Sequence, residues 1–109
     1  MEMTVTRLKQ YRAKVREVKL LEKEIAKKSE YRALCETMLA KERAEIEEIE
    51  QFIAHIPLSE TRQIFCCRYL FGGRRMSWQE IAFKIGKTDE SYPRRKHREY
   101  MQKIKAPAV

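Results

Sequence analysis

Residues 77–91 read Ser77-Trp78-Gln79-Glu80-Ile81-Ala82-Phe83-Lys84-Ile85-Gly86-Lys87-Thr88-Asp89-Glu90-Ser91, and this stretch decides the fold of the C-terminal half. Ser77 and Glu80 have the spacing of a capping box. The serine hydroxyl accepts the backbone N–H three residues on, and the glutamate reaches back to the N–H of the cap. A helix therefore starts at Trp78. Trp78, Ile81, Ala82 and Ile85 follow i, i+3, i+4, i+7, which commits one face of that helix to packing. Gly86 ends it, and Lys87 to Ser91 is rich in residues that cap a following helix. Ala82 is small enough for two helices to cross over it, and Gly86, four residues later, tolerates the positive φ of a tight turn. The stretch predicts a helix-turn-helix.

Working outward, Ser59 is placed to cap a preceding helix with Ile64, Phe65 and Leu70 among its inward residues, until Gly72 and Gly73 break it. A third helix is expected over about 90–105, with Tyr92, Tyr100, Met101 and Ile104 facing inward and Pro107 as its stop. Pro93 falls in its first turn, where a missing N–H costs little. Residues 57–109 thus form a three-helix unit.

Residues 1–56 are written differently. They contain neither Gly nor Pro, and Lys, Glu, Ala, Leu, Arg and Ile dominate, which is the composition of long helix. Apolar or aromatic residues recur at three- and four-residue steps through Leu8, Tyr11, Val15, Val18, Leu21 and Ile25, and again through Cys35, Leu39, Ile46, Ile49, Ile53 and Ile56. Lys28 and Arg32 interrupt that coiled-coil-like stripe, and Glu42 falls on it later. Two arrangements satisfy it: a helical hairpin turning near Lys27 to Glu30, or an antiparallel dimer of unbroken helices, each about 75 Å long at ~1.5 Å per residue. The interruption favours the first and the lack of Gly, Asn or Pro at the turn favours the second. Either way the chain is all-α, with residues 1–56 as a helical scaffold that is also the expected surface for homo-oligomerisation.

The chain carries 24 Lys and Arg against 16 Asp and Glu, a net charge of +8, which favours a polyanionic partner such as nucleic acid. The excess is local: residues 1–28 carry +5, residues 29–56 carry −4 and residues 57–109 carry +7. The contact surface is therefore expected in the C-terminal half. No apolar run approaches the ~20 residues of a spanning helix, and the N-terminus lacks a signal-peptide core, so a cytoplasmic protein without membrane contact is expected. Cys35, Cys66 and Cys67 lack paired Cys-x-x-Cys spacing, and His55 and His97 are the sole histidines, so neither metal nor cofactor is expected. No nucleotide loop, paired carboxylates or activated nucleophile points to an enzyme. Trp78 and Tyr69 read as core rather than as stacking platforms, and His97 has only Lys96 and Arg98 beside it in sequence.

Three runs carry a family resemblance: Ile64-Phe65-Cys66-Cys67-Arg68-Tyr69-Leu70, then Ser77-Trp78-Gln79-Glu80-Ile81-Ala82 with Gly86, then Ser91-Tyr92-Pro93-Arg94-Arg95-Lys96-His97. Together they resemble the region 4 helix-turn-helix of sigma-70-type factors, in the version found in small phage transcriptional regulators of the RinA and ArpU type. The resemblance covers roughly residues 57–105. It departs from the pattern at Lys87, which replaces an apolar turn residue, at Pro93, which replaces a branched apolar one, and in a turn one residue longer. It implies a phage or prophage protein controlling late genes, with its third helix in the major groove of duplex DNA. Glu90, Ser91, Arg94, Arg95 and Arg98 then correspond to the base-facing side, since arginine bonds bidentately to guanine O6 and N7. Arg74, Arg75, Lys84, Lys87 and Lys96 are expected on phosphates.

Two other readings compete with sequence-specific regulation of transcription. One is a DNA-packaging recognition protein like the phage terminase small subunits, which also combine a helix-turn-helix with coiled helices. The other is an adaptor whose sigma-like module touches RNA polymerase with little affinity for DNA.

Overall fold

The break in the N-terminal stripe is a turn. The computed structural model describes residues 2–105, and there α1 (Val5–Lys9) and α2 (Tyr11–Ala26) lead into α3 (Arg32–Ala54), which runs back antiparallel along α2. The longest dimension of the molecule is 52 Å, well short of the ~75 Å of an unbroken helix. Lys28 stands where a glycine was missing, with φ +55, and its N–H bonds to the Ile25 carbonyl at 3.1 Å to close α2. A side chain in that left-handed region costs roughly 1 kcal/mol. Lys28→Gly is therefore expected to raise stability by about 0.5–1 kcal/mol in urea unfolding, whereas Lys27→Gly, at a cap with φ −76, lowers it.

Within the hairpin Leu21, Cys35 and Leu39 are buried with Val18, Ile25 and Met38 packed around them. The stripe is thus satisfied inside one chain. Glu42, the polar residue on the seam, is matched across it: Lys14 bonds Glu42 at 3.3 Å and also pairs with Glu45. Arg7 of α1 pairs with Glu48 of α3 at 2.7 Å, and Arg43 of α3 pairs in the reverse sense with Glu22 of α2 at 2.9 Å.

The principal core draws on both sides of Pro57. Met3 and Leu8 come from the N-terminal segment, Ile49, Ile53 and Ile56 from α3 and its end, Phe65 and Tyr69 from the next helix, and Met101 from the last. That next helix, α4 (Ser59–Phe65), continues as a π-helical turn over Cys66–Leu70, closed by Phe71 N–H on the Cys66 carbonyl at 2.8 Å. Its N-cap is Leu58, not Ser59. Arg62 holds the Ile56 carbonyl at 2.9 Å while Ile56 enters the core, so the Leu58 carbonyl receives the first helical N–H and the Ser59 hydroxyl binds Gln63 instead.

The helix α5 (Trp78–Lys84) begins at the predicted capping box, with both Ser77 and Glu80 bonds formed. It ends in a Schellman motif: Gly86 has φ +81 and bonds Phe83, and Lys87 bonds Ala82 at 2.8 Å. Ile81 and Ala82 are fully buried, with Ile64 and Cys67 against Ile81. The helix α6 (Ser91–Lys105) starts one residue after Glu90 and runs through Lys105, while Pro107 lies outside the described residues.

Candidate nucleic-acid interface

The inner face of α6 fixes where its arginines point. Pro93, His97 and Met101 recur every four residues and are buried, with Tyr100 partly so. Of the expected inward residues, Ile104 is instead 39 % exposed, because the core against α6 ends at Met101. Along one flank of the buried row, Ser91, Arg94, Arg95, Arg98, Gln102 and Lys105 form an exposed stripe.

His97 is the anchor that sequence reasoning missed. Its ring stacks on Phe65 at 4.6 Å, meets the edge of Trp78 at 5.3 Å, and its Nε2 shares a 2.6 Å hydrogen bond with the Tyr69 hydroxyl. Burial, reinforced by the field of Arg68 and then Lys9, lowers its pKa to about 4, so at neutral pH the imidazole is uncharged. Burial likewise pushes the Tyr69 hydroxyl up to about 12. The available signal was the four-residue spacing from Pro93 and Met101, which the flanking Lys96 and Arg98 masked.

The five expected base-facing residues are brought together, four of them with partners. Ser91 donates to Asp89 through both its N–H, at 2.9 Å, and its hydroxyl, at 2.8 Å. Glu90, outside the helix, accepts from Arg94 at 3.0 Å, and Arg95 lies 3.7 Å from Glu99. Exposed pairs of this type contribute ~0–1 kcal/mol, little enough for a phosphate or base edge to replace the carboxylate. Arg98 has no ion-pair partner among the described residues.

The expected phosphate-facing residues are spread more widely. Lys87 and Lys96 flank Tyr92, their ammonium groups 4.8 and 5.6 Å from its ring centroid, with the Arg95 guanidinium at 5.5 Å. The Tyr92 hydroxyl in turn donates to Glu60 of α4, which places this cluster on the α4 side of α6. Lys84 is exposed on α5, where its field acts on Cys67. Arg74 is bound into the cap of α5, with two bonds to Glu80 at 3.0 and 3.2 Å. That pairing, with the Ser77 bonds next, holds the Glu80 carboxyl down at about 2. Arg75 is exposed without an ion pair among the described residues.

Two further arginines organise the site from within. Arg68 donates to the Met76 carbonyl at 2.7 Å and lies 4.1 Å from the Trp78 ring centroid, tying the π-helical turn to the start of α5. Arg12 of α2 donates to the carbonyls of Arg68, Phe71 and Gly72 at 3.1, 2.8 and 3.2 Å. Arg68 lies in the π-helical turn and Phe71 and Gly72 just beyond it, so one guanidinium both closes the end of that turn and fastens the hairpin to the C-terminal unit.

Among the described residues no group of three His, Cys, Asp or Glu side chains could hold a metal ion, and no helix is long and apolar enough to cross a membrane. Comparison with protein-family models, with curated proteins and with solved structures finds no match to this chain. What the arrangement offers chemically is a set of exposed cationic donors on a rigid helix, suited to binding polyanions.

Proposed function

We propose that this protein binds duplex DNA as a regulator of transcription, with α5 and α6 acting as a helix-turn-helix and α6 entering the major groove. The observation that carries this reading is the exposed stripe Ser91, Arg94, Arg95 and Arg98, held in place by a buried row that prevents the helix from rotating it away. An α-helix fits the major groove, and arginines near its N-terminal end are where such helices meet base edges. The Schellman turn at Gly86 and the buried Ala82 support it by giving α5 and α6 a close, fixed crossing. Control of phage late genes rests on the sequence resemblance alone.

Fluorescence anisotropy on duplex DNA across a salt series tests the reading. Binding is expected to weaken steeply as salt rises, because counterions are released from neutralised phosphates. Arg98→Ala is expected to weaken binding to the preferred site by about 1–3 kcal/mol, roughly 5- to 150-fold. No binding by the intact protein at low salt would overturn the proposal and point to a protein partner such as RNA polymerase.

A further inference from the structure

The fold gathers a second set of cations away from α6, drawn from both halves of the chain. A cleft of about 310 Å³ opens between the N-terminal helices and the loop before α5, lined by Lys9, Arg12, Arg16, Gly73, Arg74 and Arg75. An adjoining cleft of about 290 Å³ shares Arg12, Arg16 and Gly73 and adds Lys19. On α2 the residues Arg12, Arg16 and Lys19 follow i, i+4, i+7, and Lys9 precedes Arg12 by three, so the row keeps one side of the helix.

The cations on this side of α2 are not consumed by the hairpin. Its ion pairs with α3 use Arg7, Lys14 and Glu22, while Lys9, Arg16, Lys19 and Arg75 make none among the described residues. Arg12 is spent on the carbonyls at the end of the π-helical turn, and Arg74 on Glu80, so both hold the walls in place. Gly73 leaves open space where a Cβ would stand, so the wall of the cleft there is bare backbone.

The cleft is linked to α6 through Tyr69, which lines it and bonds His97. Met101 packs with Met3 and Leu8, and Arg94 and Arg98 lie seven and three residues before Met101 on α6. That flank of α6 therefore borders α1, whose last residue is Lys9. Arg68, between them, feels the fields of Arg75, Arg94 and Arg12 together.

Resting on the duplex-binding reading above, we propose that Lys9, Arg16 and Arg75, continued by Lys19, form a phosphate-binding cleft that grips the backbone of the same DNA duplex whose major groove receives α6. The hairpin is then a second arm of the DNA surface as well as a scaffold. Contacts of this kind position the protein and add affinity without reading sequence.

The test compares the full chain with Lys9→Gln/Arg16→Gln, with Arg98→Ala, and with Lys27→Gln/Lys41→Gln. The last pair removes the same charge from exposed positions away from the cleft. Anisotropy is measured on duplexes of several sequences across salt, and circular dichroism melts verify that each variant keeps the fold. For Lys9→Gln/Arg16→Gln the slope of log affinity against log salt is expected to fall by about 2, with binding to every duplex weakened alike. The control pair is expected to keep the slope of the intact chain. Equal behaviour of the two double variants overturns the cleft while leaving the α6 reading intact. Loss in the cleft variant with Arg98→Ala unaffected overturns the α6 reading and leaves the cleft, and absence of duplex binding by the intact chain overturns both.

Discussion

Phe65→Ala is expected to destabilise the protein by about 3–5 kcal/mol, the largest effect of any single truncation considered for this fold. Phe65 is fully buried at the end of α4. Its ring lies 4.6 Å from His97, 5.6 Å from Tyr100, 5.9 Å from Tyr69 and 6.4 Å from Phe52, centroid to centroid. These partners come from α3, the π-helical turn and α6, so the cavity left by alanine opens at the junction of hairpin and C-terminal unit and no single element can collapse into it. Against a typical total of ~5–15 kcal/mol, that loss removes a large fraction of the stability. Urea unfolding checks it, with Phe71→Ala as the companion, since Phe71 is largely exposed and is expected to change stability by no more than ~0.5 kcal/mol. A loss below about 1 kcal/mol for Phe65→Ala would mean that the aromatic junction is not packed as described.

Acidification is expected to cost nearly as much through His97. Its pKa of about 4 in the folded protein lies below the ordinary histidine value of 6.5, so between those values the unfolded chain binds a proton that the folded chain does not. Stability from this source is complete above about pH 6.5, falls as the pH drops toward 4, and is then lost in full, a change of about 3 kcal/mol. The cause is the site itself: an imidazolium would be buried against Phe65 and Trp78, facing the Tyr69 hydroxyl, with Arg68 and Lys9 nearby. Carboxylates such as Glu80, held near 2, begin to lose their contribution as the same range is left on the acid side. His97→Gln isolates the histidine, because its amide can still meet Tyr69 but does not titrate. The difference in unfolding free energy between the two proteins is expected to slope across pH 4–6.5 and to be flat above it. A flat difference throughout would show that His97 is solvated.

Both expectations concern one junction, and neither residue was equally visible in the sequence. Phe65 was expected to face inward from the pattern of α4. His97 was not, since its neighbours Lys96 and Arg98 gave it the look of a basic surface run. Lys96, in the same run, turns toward Tyr92 on the α4 side while Arg94 and Arg98 stay on the outer stripe. Ile104 shows the opposite failure. It has the spacing of the buried row, yet spacing says nothing of where the partner elements stop.

The features legible along the chain are local and periodic. The capping box at Ser77, the φ-tolerant Gly86, the apolar rows of α2, α3 and α5 and the location of the charge excess are each written within a few turns of chain, because caps and amphipathic faces need only neighbours three or four residues away. Tertiary structure decided what depends on residues far apart. It turned the hairpin through a left-handed Lys28, since closing the seam within one chain offsets a strained residue, and it drew Met3 and Leu8 into a core with Met101. It also aimed Arg12 at the end of the π-helical turn and brought Lys9 and Arg16 beside Arg75. Partners some sixty positions apart leave no period in the chain, and only the packed core, by fixing the angle between hairpin and C-terminal helices, makes them neighbours.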